Sequence, residues 1–160
     1  MSRYFCFALC SLLLFSGCSE SSRPSDLPPL FPCTVSVTQG GGPLVGAYVE
    51  LVSPDSPTYR PSASTDENGN AAIMTYGFSG APVGKYKIIV RKSIEDDIVM
   101  GKDEYGVDAV VSSNRYNVVA DIHGDASRSP HEVEVTASSK GVQATIDVGD
   151  AIRVRVRGSD

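Results

Sequence analysis

The fold is decided by two short stretches, VGAYVELV at residues 45–52 and KYKIIVR at residues 85–91. In both stretches apolar side chains take every second position, namely Val45, Ala47, Val49 and Leu51, then Tyr86, Ile88 and Val90. Successive side chains of an extended chain point to opposite sides. This period of two therefore predicts strands with one face in a core and the other in water.

The same alternation predicts further short strands at residues 33–38, 71–76, 116–122, 133–135, 142–148 and 152–156, about eight in all. Turn signals lie between the runs, at Gly40-Gly41-Gly42-Pro43 and at Asn68-Gly69. Many short strands with such turns are typical of an all-β sandwich or barrel. The one interruption is residues 93–112, which we interpret as a long acidic connection with one helical turn.

The first seventeen residues have the layout of a cleaved secretory signal, with Arg3, an apolar run over residues 4–15 and small residues before Cys18. A run this short cannot cross a hydrocarbon core of roughly 30 Å as a helix. Phe15-Ser16-Gly17-Cys18 resembles the lipobox of bacterial lipoproteins. The resemblance implies that Cys18 is acylated with palmitate-type chains and holds the protein on a membrane. Because Ser19 is not aspartate, the expected location is the bacterial cell envelope, at the outer membrane. The alternative is an ordinary secretory cleavage nearby.

The segment between the lipidated cysteine and the first strand is rich in proline and serine. Residues 19–32 contain four prolines and four serines, which argues against a helix interior or a sheet ladder. We therefore predict a flexible tether over residues 18–32 and a single domain over residues 33–160. Cys6 and Cys10 leave with the signal, so Cys33 is the remaining thiol, expected to be buried on a strand face.

The mature chain is acidic. It carries 13 Lys and Arg, the 14 of the whole chain less Arg3, against 19 Asp and Glu, a formal charge of −6. Such a surface repels nucleic acid, which requires a basic patch. The expected partners are membrane lipid through acylated Cys18 and an envelope protein or glycan.

Three segments in order resemble the carboxypeptidase regulatory-like, transthyretin-like family: GPLVGAYVEL at 42–51, TDENG at 65–69 and GKYKIIV at 84–90. The resemblance implies a Greek-key β-sandwich of seven to eight strands with no catalysis of its own. It also implies an accessory or adhesive role in the envelope. The leading hypothesis is thus a non-enzymatic lipoprotein whose sandwich is a binding or structural module, without catalytic residues or cofactors.

One alternative is a small hydrolase, because some transthyretin-like relatives hydrolyse 5-hydroxyisourate with histidines, an arginine and a C-terminal Tyr-Arg-Gly-Ser. Val156-Arg157-Gly158-Ser159 retains three of those four residues, but the strand at 33–38 has no histidine to act as base. The stretch 77–81, GFSGA, approaches a nucleophile elbow, yet another strand rather than a helix is expected after it. We interpret it as a loop.

Two groups of residues are candidate metal ligands. Asp121, His123 and Asp125 could project from one side of a strand, and the acidic residues at 95–108 could bind Ca²⁺. We favour a solvated strand end for the first and plain solvation for the second, with His131 as an ordinary surface residue. No metal site is predicted.

The last strand carries a basic stripe formed by Arg153, Arg155 and Arg157. It is a candidate surface for anionic ligands, although cations on a terminal strand more often prevent edge-to-edge pairing. In that case we expect Glu132 and Glu134 opposite the arginines. A third hypothesis, an adhesin for carbohydrate or protein, rests on Tyr48, Tyr59 and Tyr105 as stacking surfaces.

Overall fold

The computed structural model describes residues 23–54 and 58–156, which form fifteen short strands. The first eight are β1 (Leu30–Phe31), β2 (Cys33–Gln39), β3 (Gly42–Pro43), β4 (Tyr48–Val52), β5 (Ser62–Ser64), β6 (Asn70–Ala72), β7 (Met74–Thr75) and β8 (Phe78–Ser79). The others are β9 (Ala81–Pro82), β10 (Gly84–Arg91), β11 (Ser93–Lys102), β12 (Asp108–Asn117), β13 (Glu132–Val135), β14 (Val142–Asp147) and β15 (Val154–Arg155). The predicted signal, Cys18 and Arg157 lie outside the described residues.

Two sheets form the body of the domain. In one, β2 lies between β14, to which it is parallel, and the antiparallel strands β6 and β3. In the other, six strands follow the order β13-β10-β4-β5-β7-β8. Its centre is β10, which pairs antiparallel with both β13 and β4. The predicted all-β class is confirmed.

Alternating side chains of both sheets meet in one hydrophobic core. The main contributors are Val35 and Val37 from β2, Val49 and Leu51 from β4, Ile88 and Val90 from β10, Val135 from β13 and Ile146 from β14. Each fully buried aliphatic side chain contributes about 1.5–3 kcal/mol. Two layers over a shared core are the arrangement of a β-sandwich. Cys33 faces this core at 4% exposure, so its predicted burial is confirmed.

The prediction of an acidic connection at residues 93–112 is wrong. β11 and β12 form a long antiparallel hairpin, in which Ser93 lies opposite Asn117 and Lys102 opposite Asp108. We call residues 93–117 the arm. Register shifts between Asp96 and Met100 interrupt the pairing. Because both faces of the arm are largely exposed, the sequence lacks the apolar-polar alternation that marks a half-buried strand.

The predicted strand at 116–122 is also wrong. β12 ends at Asn117, and Asp121–Gly124 forms a turn of 3₁₀-helix. The turn is fixed by Arg91, whose guanidinium donates two hydrogen bonds, of 3.0 and 2.7 Å, to the Gly124 carbonyl. The predicted strand at 71–76 is divided, since β6 and β7 belong to different sheets.

The proline-rich segment before β2 forms a sheet ladder, contrary to prediction. Leu30 and Phe31 pair with Pro82 and Ala81. Earlier in the segment, Leu27 is only 7% exposed. The part of the predicted tether at residues 23–32 therefore lies on the domain, while residues 18–22 are outside the described range.

The Asn68-Gly69 turn connects the two sheets between β5 and β6. The Asp66 carboxylate accepts hydrogen bonds from the backbone N–H groups of Asn68 and Asn70, at 2.9 and 2.8 Å. Gly69 has φ +77°, and a Cβ there would lie 2.6 Å from the Val37 carbonyl oxygen. Only glycine fits this position without strain.

Candidate functional site

The arm exposes several large apolar side chains. Met100, 60% exposed, lies directly opposite Val110 in the register, so the two side chains share one face. Ile98 and Val99 directly precede Met100 and are also exposed, at 54% and 51%. Monomeric soluble proteins seldom leave several such side chains together in water.

The tip of the arm is closed by its own polar groups. The Asp103 carboxylate accepts hydrogen bonds from the backbone N–H groups of Tyr105 and Val107, at 2.9 and 2.8 Å. Lys102 bridges to Asp108 across the hairpin at 2.9 Å. Tyr105 projects from this turn at 83% exposure. Asp103 and Asp108, two of the candidate Ca²⁺ ligands, thus close the turn. In the described ranges no three His, Cys, Asp or Glu side chains are grouped to hold a metal ion.

A polar cluster joins the base of the arm to the last strand. Asp97, at φ 53°, accepts hydrogen bonds from the Tyr116 hydroxyl and from the Asn114 amide. The hydrogen bond from Tyr116 is the main cause that lowers the pKa of the Asp97 carboxyl. Arg153 lies 2.9 Å from a carboxylate oxygen of Asp96 and 3.5 Å from one of Asp97. Its guanidinium also stacks over the Tyr116 ring, 4.2 Å from the centroid.

Of the basic stripe, Arg155 lies on β15, an edge strand of the three-stranded sheet β11-β12-β15, and Arg153 directly precedes this strand. Arg155 is opposite Tyr116 in the register, and Arg153 reaches the acidic base of the arm. The expectation that Glu132 and Glu134 lie opposite these arginines is wrong. They lie on β13 opposite Lys87 and Lys85 of β10, with Lys87 bridged to Glu132 at 2.6 Å.

The two histidines of the chain form a contact that the sequence did not indicate. His123 Nδ1 and His131 Nε2 are 3.0 Å apart, and the ring planes differ by 15° with centroids 5.1 Å apart. Both rings are half-buried, and burial is the main cause that lowers the pKa of each. His131 is therefore not an ordinary surface residue. The expected grouping of His123 with Asp125 on a strand does not form, because the Asp125 carboxylate binds Ser127 and Arg128.

A buried carboxylate was also missed. Glu50 alternates with core residues on β4 and was expected in water, but it is 4% exposed. It lies 2.8 Å from Arg60 and 3.5 Å from Arg91. Arg91 simultaneously holds the Gly124 carbonyl, so this ion cluster connects the strands to the loop that carries His123. A sequence pattern gives no signal for this ion cluster, because Glu50, Arg91 and the loop that contains Gly124 are distant from one another along the chain.

The nucleophile-elbow stretch was predicted to be a loop, but Phe78–Ser79 form strand β8 of a hairpin. Tyr76 and Gly77 both have positive φ and form the two-residue turn between β7 and β8. Ser79 lies on β8, and strand β9 follows. The hydrolase alternative requires a histidine on β2 to act as base. β2 contains no histidine, and both histidines of the chain lie between β12 and β13.

The three tyrosines of the adhesin hypothesis are not equivalent. Tyr48 and Tyr105 are exposed. Tyr59 is half-buried, its hydroxyl donates to the Asp26 carbonyl at 3.0 Å, and its ring contacts Tyr76 edge-on. Tyr59 is thus occupied by contacts within the chain.

Residues 23–54 and 58–156 contain no helix with the length and apolar character needed to cross a bilayer. Comparison of the chain with protein-family models, with curated proteins and with solved structures found no match.

Proposed function

We propose that this chain is an envelope lipoprotein, anchored through acylated Cys18, whose β-sandwich is a non-catalytic module that contacts an envelope partner through the arm. The observation that carries the binding role is the exposed apolar surface of the arm, where Met100 and Val110 share one face and Val99 is exposed beside them. Beyond its base, where two residues of β12 pair with β15, the arm is a two-stranded hairpin, and such a hairpin alone is at best marginally stable in water. A partner that covers it removes this apolar surface from solvent.

The anchor rests on the lipobox-like sequence before Cys18 together with the signal layout of residues 1–17. We further propose that the sandwich is a carboxypeptidase regulatory-like domain of Greek-key topology. This proposal is supported by three sequence segments, which fall on the β3–β4 region, the turn at residues 65–69 and strand β10. An outer-membrane location follows from Ser19.

The anchor is tested by metabolic labelling with a palmitate analogue in the source bacterium. Wild-type chain should be labelled, and Cys18→Ala should not, because the thiol of Cys18 is the proposed acceptor. The matched control is Cys10→Ala, which leaves that thiol in place. Absence of label on the wild type, or equal label after Cys18→Ala, would contradict the anchor.

The binding role is tested by site-specific photo-crosslinking in living cells. A photoreactive phenylalanine analogue at Met100 or Val110 should give a discrete covalent adduct, since partner contact brings reactive groups within reach. The same analogue at Lys140, an exposed loop position, is the control and should give none. If neither arm position gives an adduct above this control, the arm is not the contact surface.

A further inference from the structure

The contact between the two histidines is supported by backbone on both sides. His123 lies in the 3₁₀ turn whose Gly124 carbonyl is held by Arg91. The His131 carbonyl accepts a 2.9 Å hydrogen bond from the Ile88 N–H, immediately before β13. The backbone at both histidines is therefore held by hydrogen bonds to residues of β10, whether or not the rings bond to each other. Such independent support is what holds metal ligands in place.

The separation of the ring nitrogens suits a shared ion. Two nitrogens at about 2.0–2.1 Å from one zinc ion, at right or tetrahedral angles, are about 2.9–3.4 Å apart. The 3.0 Å between His123 Nδ1 and His131 Nε2 falls in this interval. The simpler arrangement with the same separation is an N–H···N hydrogen bond between neutral rings, and the experiment must distinguish the two.

The surroundings favour a cation. The negative charge of Asp147 acts on both rings, and a backbone hydrogen bond with Val148 restrains His123. Metal-binding histidines commonly have their second nitrogen held by a carboxylate, a carbonyl or water.

We propose that His123 Nδ1 and His131 Nε2 together bind one divalent transition-metal ion of the class that prefers imidazole, such as Zn²⁺, with water completing the shell. The ring that donates the shared proton takes it up on its other nitrogen through solvent, so no net proton is released and no redox step occurs. Two protein ligands leave open positions on the metal. This inference does not depend on the proposed envelope function.

The probe is zinc chloride, added to the untagged full-length chain in detergent at neutral pH. Titration calorimetry should show one ion per chain, and His123→Gln or His131→Gln should each weaken binding at least tenfold. Asp121→Asn, in the same turn, is the matched control and should bind as the wild type does.

A second measurement needs no variant. These are the only two histidines in the chain, so a ¹⁵N-histidine correlation spectrum should show both side chains shifting together as zinc is added. A hydrogen-bonded pair without metal affinity would leave both signals in place at millimolar zinc. That result, or equal zinc binding by both histidine variants, overturns the site.

Discussion

Cys33 shows how one buried side chain makes stability depend on pH. Burial raises the pKa of its thiol from 9.0 to about 11. The folded state therefore favours the neutral thiol, and the stabilisation is complete below about pH 9 and is lost as the pH rises through about 11. At pH 10 the loss is about 1.4 kcal/mol.

We expect the urea midpoint of the wild type to fall more steeply from pH 8 to pH 10 than that of Cys33→Ala, which has no thiol to ionise. The variant is the control for every other alkaline titration in the chain. If the urea midpoints of the two proteins fell in parallel with pH, ionisation of the Cys33 thiol would not destabilise the folded state.

At the level of elements, arginine–glutamate pairs on two different sheets differ in environment. Arg91 on β10 holds both the buried Glu50 and the Gly124 carbonyl. Arg115 on β12 pairs with Glu95 at 3.1 Å, where both side chains are exposed. Hydrogen bonds to charged groups contribute about 1.5–3 kcal/mol, whereas exposed ion pairs contribute at most about 1 kcal/mol.

Arg91→Ala should therefore lower the free energy of unfolding by about 2 kcal/mol, and the matched variant Arg115→Ala by less than about 1 kcal/mol. Urea denaturation of the two variants beside the wild type measures both. If both variants lost the same free energy of unfolding, the contacts of Arg91 with Glu50 and Gly124 would stabilise the fold no more than an exposed ion pair does.

The elements that the sequence predicted are those with one face in the core. β2, β10 and β13 were placed correctly, because Val35, Ile88 and Val135 alternate with residues outside the core. The arm was missed because exposure on both sides removes that alternation. The run after Tyr116 does alternate, yet its backbone turns at Asp121 to meet Arg91, a contact between distant residues that no local pattern encodes.

The candidate site was predicted less well than the fold, because it too depends on contacts between residues that are distant along the chain. The basic stripe was recognised, but its acidic partners Asp96 and Asp97 belong to the arm and not to β13. The histidine pair depends on the 3₁₀ turn and the start of β13 coming together. Both features are tertiary contacts, which a single sequence does not specify residue by residue.

At the scale of the whole molecule, the sandwich buries its apolar side chains in a core, whereas the arm leaves its apolar side chains exposed. The two sheets bury their inner faces against each other, whereas the arm exposes Ile98, Val99, Met100 and Val110 to solvent. The acidic cluster at its base, with Arg153 and Tyr116, fixes the arm to β15. The arrangement suits a rigid body that presents one apolar projection to a partner.

Hydrogen–deuterium exchange tests this division most directly, measured on the full chain in native membranes and again after purification in detergent. We predict that amides of the arm between Ile98 and Val110 exchange more slowly in the membranes than after purification, while those of β2 and β10 exchange equally in both. Equal exchange of the arm in the two preparations would contradict the account, because no partner would then cover its exposed apolar side chains.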